Sequence, residues 1–483
     1  MIRILGISIA LSILATRSQA QTAVGLITRA ARAMGGAGAL DSLANKTIEI
    51  NAANFALGQE ETPLSPARAT LVTGRGVFDY AGTRLTTSQE QRLVTGVVNR
   101  IRRVTTAAMS MTETNGVFAM DAASVAANVE RGLSLEIERI IVAAVHHPTA
   151  ATLLPPKTLR GEVADGIRML LGPDTLNVWF DRINGLPLAT ERLGDDDITG
   201  DRRTFTWYTR WVDAGGIKLP RQIDVEVSGR LLSHTVVTSA ALNQRLDASL
   251  YAIPDSMRTK APAAAPVAPI AVTLVAISPG VWRAEGGSHH SLVVEQDSGV
   301  LVIEGPQSTA RGNAVLDTLR SRFPTKRILG VVMTHHHHDH AGGIRAFMAR
   351  GIPVITHQRN VAFVRGIATV KKTVAPDRLS RGAPIPRITG VRDSLVFGSG
   401  ARRVVLYDLP TTHAEGVLAA WVPSAGTVFT SDVVSLAANQ PAARLGSVEM
   451  SSFARARGIT PTRFAGGHGI VGDWSLIEAA ARE

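Results

Sequence analysis

The stretch Thr334–Gly343, which reads T-H-H-H-H-D-H-A-G-G, constrains this chain more than any other. Five imidazoles and one carboxylate fill the six positions 335–340. Ile328–Met333 before it is apolar and rich in β-branched residues, and Ile344–Arg350 after it has helix-forming composition. The spacing therefore predicts strand, polar loop, helix. Alternate residues of an extended loop project to one side, so His335 and His337 can share one ion. Asp339 and His340 fall where the loop becomes a helix and can reach a second ion. His336 and His338 fall on the opposite side and are not expected as ligands. Gly342 and Gly343 let the backbone pack closely behind the site. A solvated metal-sticky histidine tract is the competing reading, and further donors downstream favour the ordered site.

His335-x-His337-x-Asp339-His340 followed by Gly342-Gly343 resembles the signature of the metallo-β-lactamase superfamily. The resemblance implies three more ligands at strand ends, and the chain offers them in order: His413 in Leu409–Gly416, Asp432 closing Thr427–Asp432, and His468 in Gly466–Gly469. It covers about Ile270 to Glu483. Glu415 and Ser431 depart from the family pattern, where a small or polar residue and a glycine are usual, but neither removes a ligand.

What the resemblance implies is specific. The fold is an αββα sandwich, and the two metal ions are zinc, with iron or manganese still open for these donors. His335, His337 and His413 form a three-imidazole site, which suits zinc and leaves a position for water. Asp339, His340 and His468 form the second site, and Asp432 bridges the two. The ions share a hydroxide, since zinc lowers the pKa of bound water to about 7, and Asp339 orients it as the catalytic carboxylate. His289 and His290, in Gly286–Ser291, lie on a loop of the kind that borders the active site in this superfamily and are expected to contact substrate. His357 lacks companions at ligand spacing and reads as structural.

The rest of the 483 residues allows more than one domain. Residues 1–20 resemble a secretory leader: a short basic start, the apolar run Ile4–Ala15, and small residues at Ser18 and Ala20 ahead of a cleavage point. The expected location is periplasmic or secreted. No cysteine occurs, so disulfides and thiolate ligands are excluded. The net charge is +11, from 51 Lys and Arg against 40 Asp and Glu. The excess is scattered arginine without interleaved aromatics, which gives no support to nucleic-acid binding. No later stretch is long and apolar enough for a membrane span.

Residues 21–258 read as a separate α+β domain. Ala23–Met34, Gln89–Thr105 and Ser124–Val145 carry helical patterns, and Lys46–Ala52 alternates like a strand. Leu176–Phe180, Ala189–Leu193, Arg203–Trp211 and Gln222–Val227 are short alternating runs between turn residues. This half weakly resembles periplasmic lipoprotein-carrier-like domains. His146, His147 and His234 read as structural or exposed, and Trp179, Trp207 and Trp211 as core. The Ala/Pro-rich segment 259–269 is a linker, and residues 270–483 form the metal domain.

The function expected is an exported dinuclear zinc hydrolase that uses a metal-bridging hydroxide on an ester, lactone or amide-like bond of a small molecule. A β-lactamase of the all-histidine-and-aspartate type is the enzymatic alternative. A reading of another class is an envelope ligand-binding protein with a non-catalytic metal domain.

Overall fold

A computed structural model describes residues 22–260, 270–438 and 440–482. The expected leader and residues 261–269 of the expected linker lie outside the described residues.

The N-terminal domain is a thirteen-stranded antiparallel sheet that the chain enters at its middle. From β1 (Asn45–Phe55) it meanders through β2 (Ala69–Asp79), β3 (Arg84–Arg92), β4 (Val98–Thr105), β5 (Ser110–Thr114) and β6 (Val117–Met120) to one edge. Three short helices, Ala123–Ala127, Val129–Ser134 and Ile137–His146, carry it across to the other edge. It then returns through β7 (Ala151–Leu159), β8 (Glu162–Leu171), β9 (Asp174–Asp181), β10 (Pro187–Asp196), β11 (Gly200–Asp213), β12 (Lys218–Val227) and β13 (Arg230–Leu242). The seam joins β1 to β13, with Lys46 opposite Leu242.

The helix Ala23–Ala33 starts where Thr22 Oγ1 accepts from Gly25 N at 3.0 Å. Its apolar face, with that of Ile137–His146, buries Ile167, Met169, Val178 and Phe180 of the sheet. The four predicted hairpin strands appear as parts of β9, β10, β11 and β12. The expectation of a helix over Gln89–Thr105 is corrected: those residues belong to β3 and β4, paired from Leu85↔Thr105 to Arg92↔Val98. Gly96, at φ +83°, makes the turn between them, and pairing along the sheet rather than local pattern decides the state of these polar residues. The helical pattern at Ser124–Val145 breaks into three pieces at Asn128 and at Leu135–Glu136.

The metal domain stacks two sheets. One runs β14 (Thr273–Ser278), β15 (Val281–Glu285), β16 (Ser291–Glu295), β17 (Gly299–Ile303), β18 (Arg327–Met333), β19 (Val354–His357) and β20 (Ile388–Val391). The other runs β21 (Ser394–Phe397), β22 (Val404–Leu409), β23 (Val417–Val422), β24 (Thr427–Thr430), β25 (Arg463–Gly466) and β26 (Val471–Asp473). Period-2 alternation makes the layering. Leu301 and Ile303 face the second sheet, where they meet Leu406, Leu418 and Phe429. Val300 and Val302 face outward under the helices Thr309–Arg322, Ile344–Met348 and Val361–Thr369. The helices Arg444–Ala456 and Trp474–Arg482 cover the far side. Strands buried on both faces read as continuous apolar runs, as β17 and β18 do. Helix, sheet, sheet, helix is therefore the layer order. Among the described residues no helix is long and apolar enough to cross a membrane.

Two hairpin loops of the N-terminal sheet reach the metal domain. The β10–β11 loop buries Ile198 in the core under Phe363 and Ile367. Beside it, Asp201 N donates to Lys371 O at 2.7 Å, and Lys372 pairs with Asp195. The β1–β2 loop, residues 56–68, lies over the histidine motif.

Candidate metal centre

The site is assembled at the ends of strands, where loops leave the sandwich. β18 delivers His335 to His340, β22 leads to His413, β24 to Asp432, and β25 to His468. The turn behind the motif needs its glycines. A Cβ on Gly342 would stand 2.2 Å from Gln307 O, and one on Gly343 would stand 2.8 Å from Pro306 O. Asp432 adopts φ +65° and Glu304, ending β17, adopts φ +87°. Both are left-handed conformations that cost a non-glycine residue energy and gather at functional sites.

The donor atoms form two groups, His335, His337, His413 and Asp432, and His289, Asp339, His340 and His468. Within each group the candidate ligand atoms all lie within 4.8 Å of one another. His413 Nε2 stands 3.3 Å from His335 Nε2 and 2.9 Å from His337 Nδ1. His468 Nε2 stands 3.3 Å from His340 Nε2. The Asp432 carboxylate lies between the groups: Oδ2 is 3.0 Å from His340 and 3.3 Å from His413, while Oδ1 is 2.9 Å from His468. Asp339 Oδ2 is 3.5 Å from His340 Nε2 and 3.2 Å from His289 Nε2.

A shared proton explains one imidazole pair, but not several nitrogens converging together on one carboxylate. With metal–nitrogen bonds of about 2.0–2.1 Å, a tetrahedral site has ligand atoms about 3.3 Å apart. The observed spacings fit that edge length, and nitrogen with carboxylate oxygen is a donor set suited to zinc.

The outer nitrogens of the rings are held as well. His335 Nδ1 is 3.1 Å from Thr334 Oγ1, whose hydroxyl donates to Glu304 Oε2 at 2.8 Å. A carboxylate can only accept, so the Thr334 proton goes to Glu304 and His335 Nδ1–H donates to the hydroxyl. That leaves His335 Nε2 bare toward the centre. His468 Nδ1 donates to Ser288 O at 2.8 Å, and His337 Nε2 donates to Glu60 O at 2.8 Å. Outer partners of this kind fix the tautomer and aim the ligating nitrogen. Glu304 Oε2 also accepts from Ser431 and lies 3.6 Å from His340 Nδ1.

Electrostatics follow from the same contacts. Burial raises the Asp432 carboxyl, but the imidazoles of His335, His340, His413 and His468 around it override that and hold it far below the usual carboxylate range. Burial likewise opposes the shift of Asp339, and His289 and His340 win, holding it well below that range. Burial keeps His335 neutral, and it pushes His337 down to about 4. His340 goes the other way: burial lowers it, but Asp339, Asp432 and Glu304 raise it well above normal. The Asp339, His468 and His413 side chains are 39%, 25% and 21% exposed, so the site opens on that side.

All seven sequence-derived ligand candidates are brought together, and His289 joins them beside Asp339. His290 is buried, with its backbone N–H on Gly467 O at 2.8 Å and its imidazole pushed down to about 4 by burial. His336 and His338 stay out of both groups. His336 Nε2 donates to Glu60 O at 3.0 Å. Sequence reasoning missed Glu304, although an acid closing an apolar strand was a usable signal. It also missed Gln59 and Glu60, which lie far away in the chain and carry no motif.

Residues 284–472 match the family model described as the Metallo-beta-lactamase superfamily. The N-terminal half lies outside that match, which lends nothing to its lipoprotein-carrier resemblance. The 2,4-dinitroanisole O-demethylase subunit alpha of Nocardioides sp. (strain JS1661) is 26% identical over 155 residues, 32% of this chain and 44% of that one. Subunit beta of the same enzyme is 27% identical over 176 residues, 36% of this chain and 49% of that one. The chain thus spans a little under half the length of these curated relatives. Among solved structures, a metallo-beta-lactamase from Pontibacter korlensis aligns at 17% identity and TM-score 0.35, covering 43% of this chain and 95% of that one. The metallo-beta-lactamase FIM-1 from Pseudomonas aeruginosa aligns at 17% identity and TM-score 0.35, covering 44% and 94%. The strand order, the seven convergent donors and the family match agree, and residues 284–472 form a domain of the metallo-beta-lactamase superfamily.

Proposed function

We propose that this chain is an exported, dinuclear zinc-dependent hydrolase of an ester, lactone or amide-like bond in a small molecule. The observation that carries the reading is the Asp432 carboxylate, held between two groups of imidazole nitrogens. When bound, the metal pair supplies a water-derived nucleophile near neutral pH and a Lewis acid for the attacked oxygen. The protein's part is then positional. Thr334, Ser288 and Glu60 hold imidazoles in the tautomers that leave Nε2 or Nδ1 bare. Asp339, ionised and partly open to solvent, is placed to orient an incoming water. A side-chain nucleophile is not required by this arrangement.

A β-lactam is an amide-like bond and stays within the proposal. The name of the Nocardioides relatives adds an activated aryl methyl ether to the bonds worth testing. The test is metal content of the purified mature chain, followed by turnover with and without chelator. The panel is a chromogenic cephalosporin, a lactone, an aryl ester, a thioester, a bis-phosphodiester and 2,4-dinitroanisole. About two zinc per chain and chelator-sensitive hydrolysis of one class are expected. One iron per chain, or a well-folded chain with no turnover on any member, overturns the reading.

A further inference from the structure

Among the described residues, the β1–β2 loop is the part of the N-terminal sheet whose hydrogen bonds reach ligand side chains. Gln59 Nε2 donates to Asp339 Oδ1 at 2.7 Å, leaving Oδ2 directed at His340. The Glu60 carbonyl accepts from His337 Nε2 at 2.8 Å, leaving Nδ1 directed at His413. These are the contacts a metal-binding imidazole and carboxylate need behind them, and here another domain supplies them.

The loop is itself braced. The Glu60 carboxylate accepts from Gly58 N at 3.0 and 3.1 Å and pairs with Arg230 at the start of β13. Gly58, at φ +85°, lets the loop lie on the motif: His338 N donates to Gly58 O at 3.0 Å, and a Cβ on Gly58 would stand 2.4 Å from the His338 ring. On the opposite side Arg68 donates to His413 O at 2.9 Å, and Glu415 N donates to Glu61 O at 2.8 Å. A single loop thus joins the first histidine motif to the His413 loop. The departure at Glu415 falls on this seam.

We propose that the loop 56–68 of the N-terminal domain is a working part of the metal centre, with Gln59 and Glu60 as positioning residues for Asp339 and His337. The inference rests on the metal centre of the proposed function but not on its substrate. It gives the N-terminal domain a role: without it, His337 loses the partner that sets its tautomer, and Asp339 loses the donor that anchors Oδ1. The alternative is that the loop merely docks the two domains. The β10–β11 hairpin separates these possibilities, because Asp195, Ile198 and Asp201 also dock the domains yet touch none of the ligands.

The experiment uses the full mature chain and compares Gln59→Leu and Arg230→Met with Lys372→Met. Zinc affinity is read by chelator competition, and ligand geometry by the visible spectrum of the cobalt-loaded protein. Gln59→Leu and Arg230→Met are expected to weaken metal binding about 10- to 100-fold and to change the cobalt bands; Gln59→Leu keeps a near-wild-type melting temperature, while Arg230→Met, which unpairs the buried Glu60, lowers it. Lys372→Met is expected to leave affinity and spectrum unchanged. Wild-type affinity and spectrum in both loop variants overturn the inference while leaving the hydrolase reading intact. Equal losses in all three variants overturn it in favour of simple docking. A wild-type chain that binds no metal overturns both.

Discussion

Lys46, Glu136, Glu138 and Tyr80 in the N-terminal domain form a buried charged cluster, and so do the histidines around Asp432, yet the two are wired differently. Lys46 Nζ reaches Glu136 Oε2 at 2.8 Å and Glu138 Oε1 at 2.6 Å, and Tyr80 donates to Glu138 Oε1 at 2.6 Å. Donors there face acceptors. Burial works against the Lys46 charge, but Glu136 and Glu138 prevail and raise it well above normal. Around Asp432, nitrogen faces nitrogen at 2.9–3.3 Å. The first cluster already holds its cation among the acceptors. The second closes only around a cation. Burial and charge alone do not mark a functional site; convergence of lone pairs does.

The largest test of that contrast removes a convergent donor. Asp432→Ala or His335→Ala is expected to cut turnover by more than about a hundredfold, beyond the cost of losing an outer partner. Metal content, measured alongside activity, should fall. If metal content and turnover both survive, the convergence carries no meaning. Next, Lys46→Met leaves the buried Glu138 and the half-buried Glu136 without their cation and is expected to cost about 3–5 kcal/mol of stability, read by urea unfolding. The same variant should keep wild-type zinc affinity, so a loss of affinity there would blur the distinction. Thr334→Val breaks the path from His335 Nδ1 to Glu304. It should weaken metal binding about 10-fold with little change in unfolding midpoint.

The smallest effect concerns a third buried pair. Arg345 is fully buried and pairs with Asp377 at 3.0 Å. Burial opposes ionisation of Asp377, but Arg345 and Ser380 bring it down to about 2. An unfolded aspartate titrates near 3.9. The folded value is the lower, so this contribution is complete above about pH 4 and is lost as pH falls toward about 2. Asp377→Asn should flatten the acid limb of the stability curve between those values, without altering metal affinity. An acid limb of unchanged slope would show that the pair is not coupled to folding.

The metal domain was largely legible in the sequence because its signals are local. An apolar run such as Gly299–Ile303 announces a doubly buried strand, and His335 to His340 are adjacent. His413, Asp432 and His468 were found from a family pattern rather than from spacing, since nothing in sequence distance says that three strand ends meet. The N-terminal sheet was harder. Strands β3 and β4 are polar and mostly half-exposed, so their alternation is faint, and pairing with β2 rather than local pattern decides their state. Glu60 was invisible for a different reason. Its contribution to His337 is a main-chain carbonyl, which any residue type would supply.

The seam between β1 and β13 has a bearing on how the chain reaches its native state. Lys46 cannot find Leu242 until almost the whole sheet has left the ribosome, and pairing across so long a separation is slow compared with local hairpin formation. The β1–β2 loop and the base of Arg230 lie on the two sides of that seam. Its closure finishes the floor on which His337 rests, so on refolding of the whole chain tight metal binding should follow the docking of the last strand of the first domain.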